Sequence, residues 1–199
     1  MILASSSPRR IELLFEAGYD ARVIPADIDE TPRTGETPKQ LVDRLACAKA
    51  HAVASQATPG ELVIAADTTV ELDGRSLGKP ADGAEAQAML RALSGRTHEV
   101  STGVCLLRTA DPARSADTRE RDFVETTEVA FYDLDDDLIA GYVRTGEPAD
   151  KAGAYGIQGA GRLLVRKIDG DYYNVVGLPI ARLVREMDAL GAETDAPER

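Results

Sequence analysis

An α/β fold on a mixed sheet is the architecture this sequence of 199 residues predicts. Three observations lead there. Short apolar runs alternate with segments of helical spacing, the pattern of strand–helix units. Leu62 to Ala66 is apolar at every position, as a strand covered on both faces is. In the second half, Thr97 to Leu107 and Glu125 to Tyr132 read as consecutive strands with no helix between them, which argues for antiparallel pairing and against a purely parallel sheet.

Taken in order, Met1 to Ala4 is a first strand, followed by Ser5-Ser6-Ser7-Pro8-Arg9-Arg10. Serine suits a helix cap and proline the first helical position, so Ser7 and Pro8 open a helix. Ile11, Leu13, Leu14 and Ala17 give that helix its apolar face, and Gly18 ends it. A strand running into a helix N-terminus, with small hydroxyls and two cations beside it, is a place to hold an anion. The alternative at this point is an ordinary capped helix with surface arginines.

Ala21 to Pro25 is a second strand, and Ala26 to Glu36 a polar loop with Asp27, Asp29 and Glu30 close together. Thr37-Pro38-Lys39-Gln40 carries a capping box. It opens a helix to Ser55 with Leu41, Leu45 and Ala48 on one face and Lys49 near its middle. Leu62 to Ala66 then delivers Asp67-Thr68-Thr69 at its end. Val70 to Leu77 is a hairpin about Asp73-Gly74, a strong turn dipeptide. After Gly78-Lys79-Pro80, Asp82 and Glu85 form a second capping box before a helix to Leu93. Thr109 to Asp122, charged and poor in apolar residues, reads as a solvated hairpin loop. Asp135 caps a helix through Val143, stopped by Gly146 and Pro148. Gly153, Gly156, Gly159 and Gly161 mark a tight backbone path. Leu163 to Ile168 is a strand, Pro179 opens a last helix to Leu190, and residues 191–199 read as a frayed tail on a single domain of residues 1–190.

The formal net charge of -11 leaves no basic surplus for nucleic acid or an anionic membrane. No apolar run approaches the ~20 residues that span a bilayer. With no leader pattern at the N-terminus, a cytoplasmic protein is the expectation. Cys47 and Cys105 show no CxxC spacing and read as buried thiols. His98 reads as structural and His51 as surface. Neither a P-loop nor a GxSxG elbow is present.

Asp67 is the sharpest chemical candidate, because α/β folds place ligand chemistry at the ends of apolar strands. Its ordinary reading is a turn aspartate. Glu30 could share a divalent metal with it, since hard cations prefer carboxylate oxygens. Lys79, between two motifs, is a flexible point charge for phosphate, and Lys49 a weaker candidate of the same kind. Gln158, among glycines, offers a donor and an acceptor to a flat ligand.

These residues together resemble the Maf family of nucleoside triphosphate pyrophosphatases, almost end to end. The resemblance rests on Ala4-Ser5-Ser6-Ser7-Pro8-Arg9-Arg10, Ala66-Asp67-Thr68-Thr69-Val70, Gly78-Lys79-Pro80, Leu93-Ser94-Gly95-Arg96-Thr97-His98, Gly146-Glu147-Pro148 through Gly161, and Val176-Gly177-Leu178-Pro179. It implies a Maf/ITPase-like fold: two α/β lobes on a long central mixed β-sheet flanking a deep cleft, often as a homodimer. It also implies a metal-dependent hydrolase converting a nucleoside triphosphate to the monophosphate and pyrophosphate. Asp67 would be the general base, Ser5, Arg9, Arg10, Lys49 and Lys79 would hold phosphates, and Glu30 with Asp67 would hold Mg²⁺ or Mn²⁺. Arg9, Thr68 and Gln158 match the dTTP/UTP type of the family. An amide at 158 suits the carbonyl and N–H edge of thymine or uracil. The 7-methyl-GTP type differs at all three positions. Ser6, where glycine is common in the family, and the charged stretch from Thr109 to Asp122 are the departures. A nucleotide-binding regulator of septum formation is the reading from another class.

Overall fold

The computed structural model describes residues 1–113 and 117–191. The expected tail, from residue 192 on, lies outside the described residues. Seven strands form one sheet in the order β2-β1-β3-β5-β6-β7, with β4 paired to the far end of β3. Here β1 is Ile2–Leu3, β2 Arg22–Val23, β3 Leu62–Leu72, β4 Arg75–Leu77, β5 Thr97–Arg108, β6 Arg119–Phe131 and β7 Val165–Asp169. The helices are α1 (Pro8–Glu16), α2 (Pro38–Ala54), α3 (Gly83–Leu93), α4 (Asp136–Arg144), α5 (Tyr172–Val176) and α6 (Ile180–Ala189), with three short 3₁₀ segments between α4 and β7. β1 runs parallel to β2 and β3, whereas β3–β5, β5–β6 and β6–β7 are antiparallel pairs. The sheet is therefore mixed, as expected.

Side-chain alternation along β3 divides the core. Ile64 and Ala66 face Leu13 and Leu14 of α1 and Leu183 and Met187 of α6. Val63 and Ala65 face Ala46, Ala50 and Val53 of α2. Farther along, Val70 and Leu72 pack with Leu90 and Leu93 of α3 and Ile139 and Tyr142 of α4. The Thr37–Gln40 capping box is present on α2, and Asp73 and Gly74, both at positive φ, turn β3 into β4.

Several boundaries differ from the sequence reading, each for a physical reason. β3 continues to Leu72 because residues 67–71 pair with β5 just as residues 62–66 do. Asp67 is thus in mid-strand and not after a strand end. β6 begins at Arg119, so the last four residues of the expected loop, 119–122, are strand. Its charged residues are tolerated because β7 covers β6 only from Glu128 onward, leaving the earlier part an edge. Leu163 belongs to a 3₁₀ turn and β7 starts at Val165. Five-residue α5 was not foreseen; it is too short to show a period. Ser7 makes no side-chain cap; its amide instead donates to Ser5 Oγ at 3.2 Å. Glu85 accepts from the amide of Ala81, one residue before the cap, so the second capping box is not reciprocal. Pro179 precedes α6 as its N-cap.

Two local features fix the site. Gly103 pairs with Asp67 across β3 and β5, and a Cβ there would lie 2.4 Å from the Val42 carbonyl oxygen. The α2 backbone therefore rests directly on β5 beside Asp67. Farther along the sheet, His98 is 3% exposed, bonded through Nε2 to the Tyr155 hydroxyl at 2.8 Å and edge-on to Phe131.

Burial pulls the His98 imidazole down from 6.5 to about 4. Between those values the unfolded chain binds the proton and the native state does not. Stability is then lost as pH falls from about 6.5 to 4, and is independent of this group above 6.5. We expect urea unfolding to give about 2 kcal/mol less stability at pH 5 than at pH 7, a slope that His98→Gln should remove. An equally steep fall in that variant would assign the slope to other groups.

Candidate functional site

A cleft of about 850 Å³ opens beside β3 and gathers Ser5, Arg9, Arg10, Glu30, Lys49, Asp67, Thr68, Lys79 and Gln158. Every residue the resemblance assigns to phosphate, metal, base or catalysis lines this one space. Its floor is the stretch of β3 between its two partners on that side. β1 pairs with Val63 and Ile64, and β4 with Val70 to Leu72, so residues 65–69 have no strand neighbour there among the described residues.

Arg10 fills that interval. Its Nη1 donates to the Ala66 carbonyl at 2.8 Å and to Ser5 Oγ at 3.3 Å, its Nη2 to Thr68 Oγ1 at 2.9 Å, and its Nε to the Gly177 carbonyl at 2.8 Å. Most guanidinium donors are thus engaged by the protein. Burial lowers its pKa and Asp67 raises it. Gly177, at φ 124°, turns the carbonyl towards Arg10 where an L side chain would be strained.

Arg10 also decides how two hydroxyls are used. Ser5 Oγ accepts from Arg10 and from the Ser7 amide, so its proton is left for a ligand in the cleft. Thr68 Oγ1 accepts from Arg10 and lies 2.9 Å from Thr102 Oγ1, which itself donates to the Asn174 carbonyl. Thr68 must donate to Thr102. Its hydroxyl is therefore turned into the sheet and does not project to read a base.

On the other face of β3, Lys49 Nζ lies 2.6 Å from Asp67 Oδ1 and 2.7 Å from Glu30 Oε1. Oδ2 of Asp67 has no hydrogen bond from the described residues. Arg44 holds the acidic loop in place, bonding Glu36 through Nε at 2.6 Å and the Thr31 carbonyl through Nη2 at 3.2 Å. That bond keeps the Glu36 carboxyl at about 2. Two carboxylates converging on one ammonium are also the donor set a hard divalent cation needs. Glu30 and Asp67 fit such an ion, provided Lys49 shares or yields the position.

The opposite wall is the glycine-rich segment. Glu147 accepts from the amides of Ala160 and Gly161 at 3.0 and 3.4 Å, closing the segment into a loop whose rim carries exposed Gln158. Lys151 Nζ bonds the Glu147 carbonyl and Asp150 Oδ1 at 2.6 and 2.7 Å, and Arg9 reaches the other oxygen of Asp150 at 3.5 Å. Lys79 is exposed, with no hydrogen bond or ion pair among the described residues. Sequence reasoning did not select Glu147, Lys151, Thr69, Ser76 or Tyr155, all of which line the cleft. The signal for Glu147 and Lys151 was charge flanking a glycine-rich run; the others became legible only once β3 extended past Asp67.

Of the remaining sequence candidates, Cys105 is buried and Cys47 half-buried, both as free thiols. His51 is exposed and paired with Glu120 at 2.9 Å. Among the described residues no helix is long and apolar enough to cross a membrane.

Comparison with known proteins agrees with this geometry. The family model described as Maf-like protein matches residues 1–190. A Koribacter versatilis protein named dTTP/UTP pyrophosphatase is 52% identical over 96% of this chain and 94% of its own. One of the same name from Anaeromyxobacter dehalogenans is 54% identical over 91% and 89%. The solved Ham1 protein of Staphylococcus aureus covers 65% of this chain and 70% of its own, at TM-score 0.42 and 18% identity.

Proposed function

This chain belongs to the Maf family, and on that premise we propose that it hydrolyses dTTP and UTP, with modified pyrimidine relatives, to the monophosphate and pyrophosphate. The observation that carries the reading is Asp67: a carboxylate with one oxygen held by Lys49 and the other open, in a cleft rimmed by unpaired or weakly paired cations. Oδ2 takes the proton of a water that attacks the α-phosphorus, and the bond from that phosphorus to the departing pyrophosphate breaks. The Ser5 hydroxyl, Arg9 and Lys79 bind phosphate oxygens, and Lys49 follows charge developing beside Asp67. Arg10 contributes mainly by holding Ser5, Thr68 and β3 in place. Mg²⁺ or Mn²⁺, held by Glu30 and Asp67, would neutralise phosphate charge when bound. Gln158 on the rim offers its amide to the pyrimidine edge, and Thr68 acts on specificity through Arg10. The homodimer implied by the family is part of the same proposal, and light scattering of the purified chain tests it.

Pyrophosphate release with Mg²⁺ or Mn²⁺ from dTTP, UTP, CTP, GTP, 7-methyl-GTP and ITP tests the reaction. Selective turnover of dTTP and UTP is the expected result; preference for 7-methyl-GTP would overturn the substrate assignment and keep the reaction. Lys79→Ala should lower kcat/KM at least about tenfold while leaving the melting temperature unchanged, because nothing in the fold uses that ammonium. Unchanged kinetics would remove Lys79 from the site. Gln158→Ala should narrow the dTTP-to-GTP ratio more than it lowers turnover of dTTP. Equal loss on every nucleotide would show that the amide does not face the base.

A further inference from the structure

Behind α2, away from the cleft, Cys47 Sγ, Cys105 Sγ and a Glu120 carboxylate oxygen lie within 4.8 Å of one another. They come from α2, β5 and β6, and Cys105 Sγ is 3.7 Å from Glu120 Oε1. His51 stands one helical turn after Cys47 on the same face of α2, with Nε2 2.9 Å from the other Glu120 oxygen. We propose that Cys47, Cys105, Glu120 and His51 form a tetrahedral site for a thiophilic divalent cation, Zn²⁺ above all, which fastens α2 to the sheet.

Tetrahedral Zn²⁺, with bonds of about 2.3 Å to sulfur and 2.0 Å to oxygen or nitrogen, sets its ligands about 3.3 to 3.8 Å apart. The sulfur–carboxylate separation is already in that range, and the thiols need only small side-chain rotations. The imidazole must pass from the far oxygen of Glu120 to the ion. That movement is open to it because His51 is on the surface, with its side chain 57% exposed. The second pointer is electrostatic. Asp43, one turn before Cys47, has a buried Oδ1 without a partner, and the facing Asp122 is the cross-strand neighbour of Cys105. No lysine or arginine among the described residues forms a salt bridge with Asp43, Glu120 or Asp122. Local negative charge of this kind draws a cation. Two sulfurs and an imidazole select a softer ion than the Glu30–Asp67 carboxylates, which suit Mg²⁺ or Mn²⁺. The two sites therefore sort metals by chemistry.

Co²⁺ is the probe, added to the purified full-length protein after chelator treatment and reduction. One equivalent should produce a thiolate-to-cobalt charge-transfer band and the intense visible bands of a tetrahedral ion, and one equivalent of Zn²⁺ should abolish both. The carboxylate site in the cleft, lacking sulfur, cannot give the charge-transfer band. Cys47→Ala should remove that band, and Glu120→Gln and His51→Ala should each weaken Zn²⁺ at least about tenfold against a chromophoric chelator. All three positions are half-buried or exposed, so folding should survive; the dTTP hydrolysis rate with Mg²⁺ reports that it has. Absence of the band, its persistence in Cys47→Ala, or a Zn²⁺ affinity that Glu120→Gln and His51→Ala leave unchanged overturns the proposal. So does loss of both free thiols in air with no metal retained, which would identify the pair as a disulfide.

Discussion

Asp67→Asn is expected to lower pyrophosphate release from dTTP by about 10³-fold, within the range that a positioned general base contributes, while nucleotide binding changes only a few fold. The substitution keeps the shape of the side chain and its reach to Lys49, since an amide oxygen still accepts from the ammonium. What it removes is the proton acceptor at the open oxygen. Binding measured by calorimetry beside turnover separates the two effects. If turnover persists at a tenth of the original rate or more, Asp67 does not take the proton and the mechanism above fails. A cell-division phenotype surviving in the folded variant would instead point to a role that needs no hydrolysis.

The second large effect is expected at Arg10. Its guanidinium satisfies the Ala66 and Gly177 carbonyls and orients Ser5 and Thr68, so Arg10→Ala should cost about 3 kcal/mol of stability or more, from charged hydrogen bonds lost and buried acceptors at Ser5, Ala66 and Gly177 stranded. Activity should fall as well, because the Ser5 proton is no longer aimed. Arg10→Lys keeps the charge but cannot span acceptors on three segments, and should recover only part of the stability. Denaturant unfolding decides the matter. A residue that only bound phosphate would leave the unfolding midpoint untouched and raise KM, and that outcome would remove the positioning role.

Much of this was legible from local chemistry. The Thr37–Gln40 box, the Asp73-Gly74 turn and the apolar run from Leu62 were readable because each depends on neighbours in sequence. The residues of the cleft were readable as charges set against an apolar pattern. What stayed hidden depends on distant partners. The continuation of β3 through Thr68 and Thr69 is enforced by β5, more than thirty residues away. The early start of β6 depends on where β7 stops covering it. Arg10 read as one more phosphate ligand because its acceptors, at residues 66, 68 and 177, cannot be associated with it before the chain is folded. Cys47 and Cys105 read as unrelated thiols for the same reason; the packing of α2 onto β5 brings them together.

The interval on β3 between β1 and β4 has a consequence for how the enzyme can move. On one side residues 62–71 are paired with β5 without interruption, so the Asp67 carboxylate rides on a floor as stiff as the sheet. On the other side the missing neighbour is replaced by side chains and by the two walls, which belong to different parts of the chain. The 147–159 wall is tied to the sheet at its centre, by the Gly153 N–H to the Gly78 carbonyl and by Tyr155 to His98, whereas Gln158 on its rim makes no hydrogen bond among the described residues, so adjustment to a nucleotide falls to that rim. The Asp67 carboxylate stays fixed while the rim adjusts, like a vice with one immovable jaw.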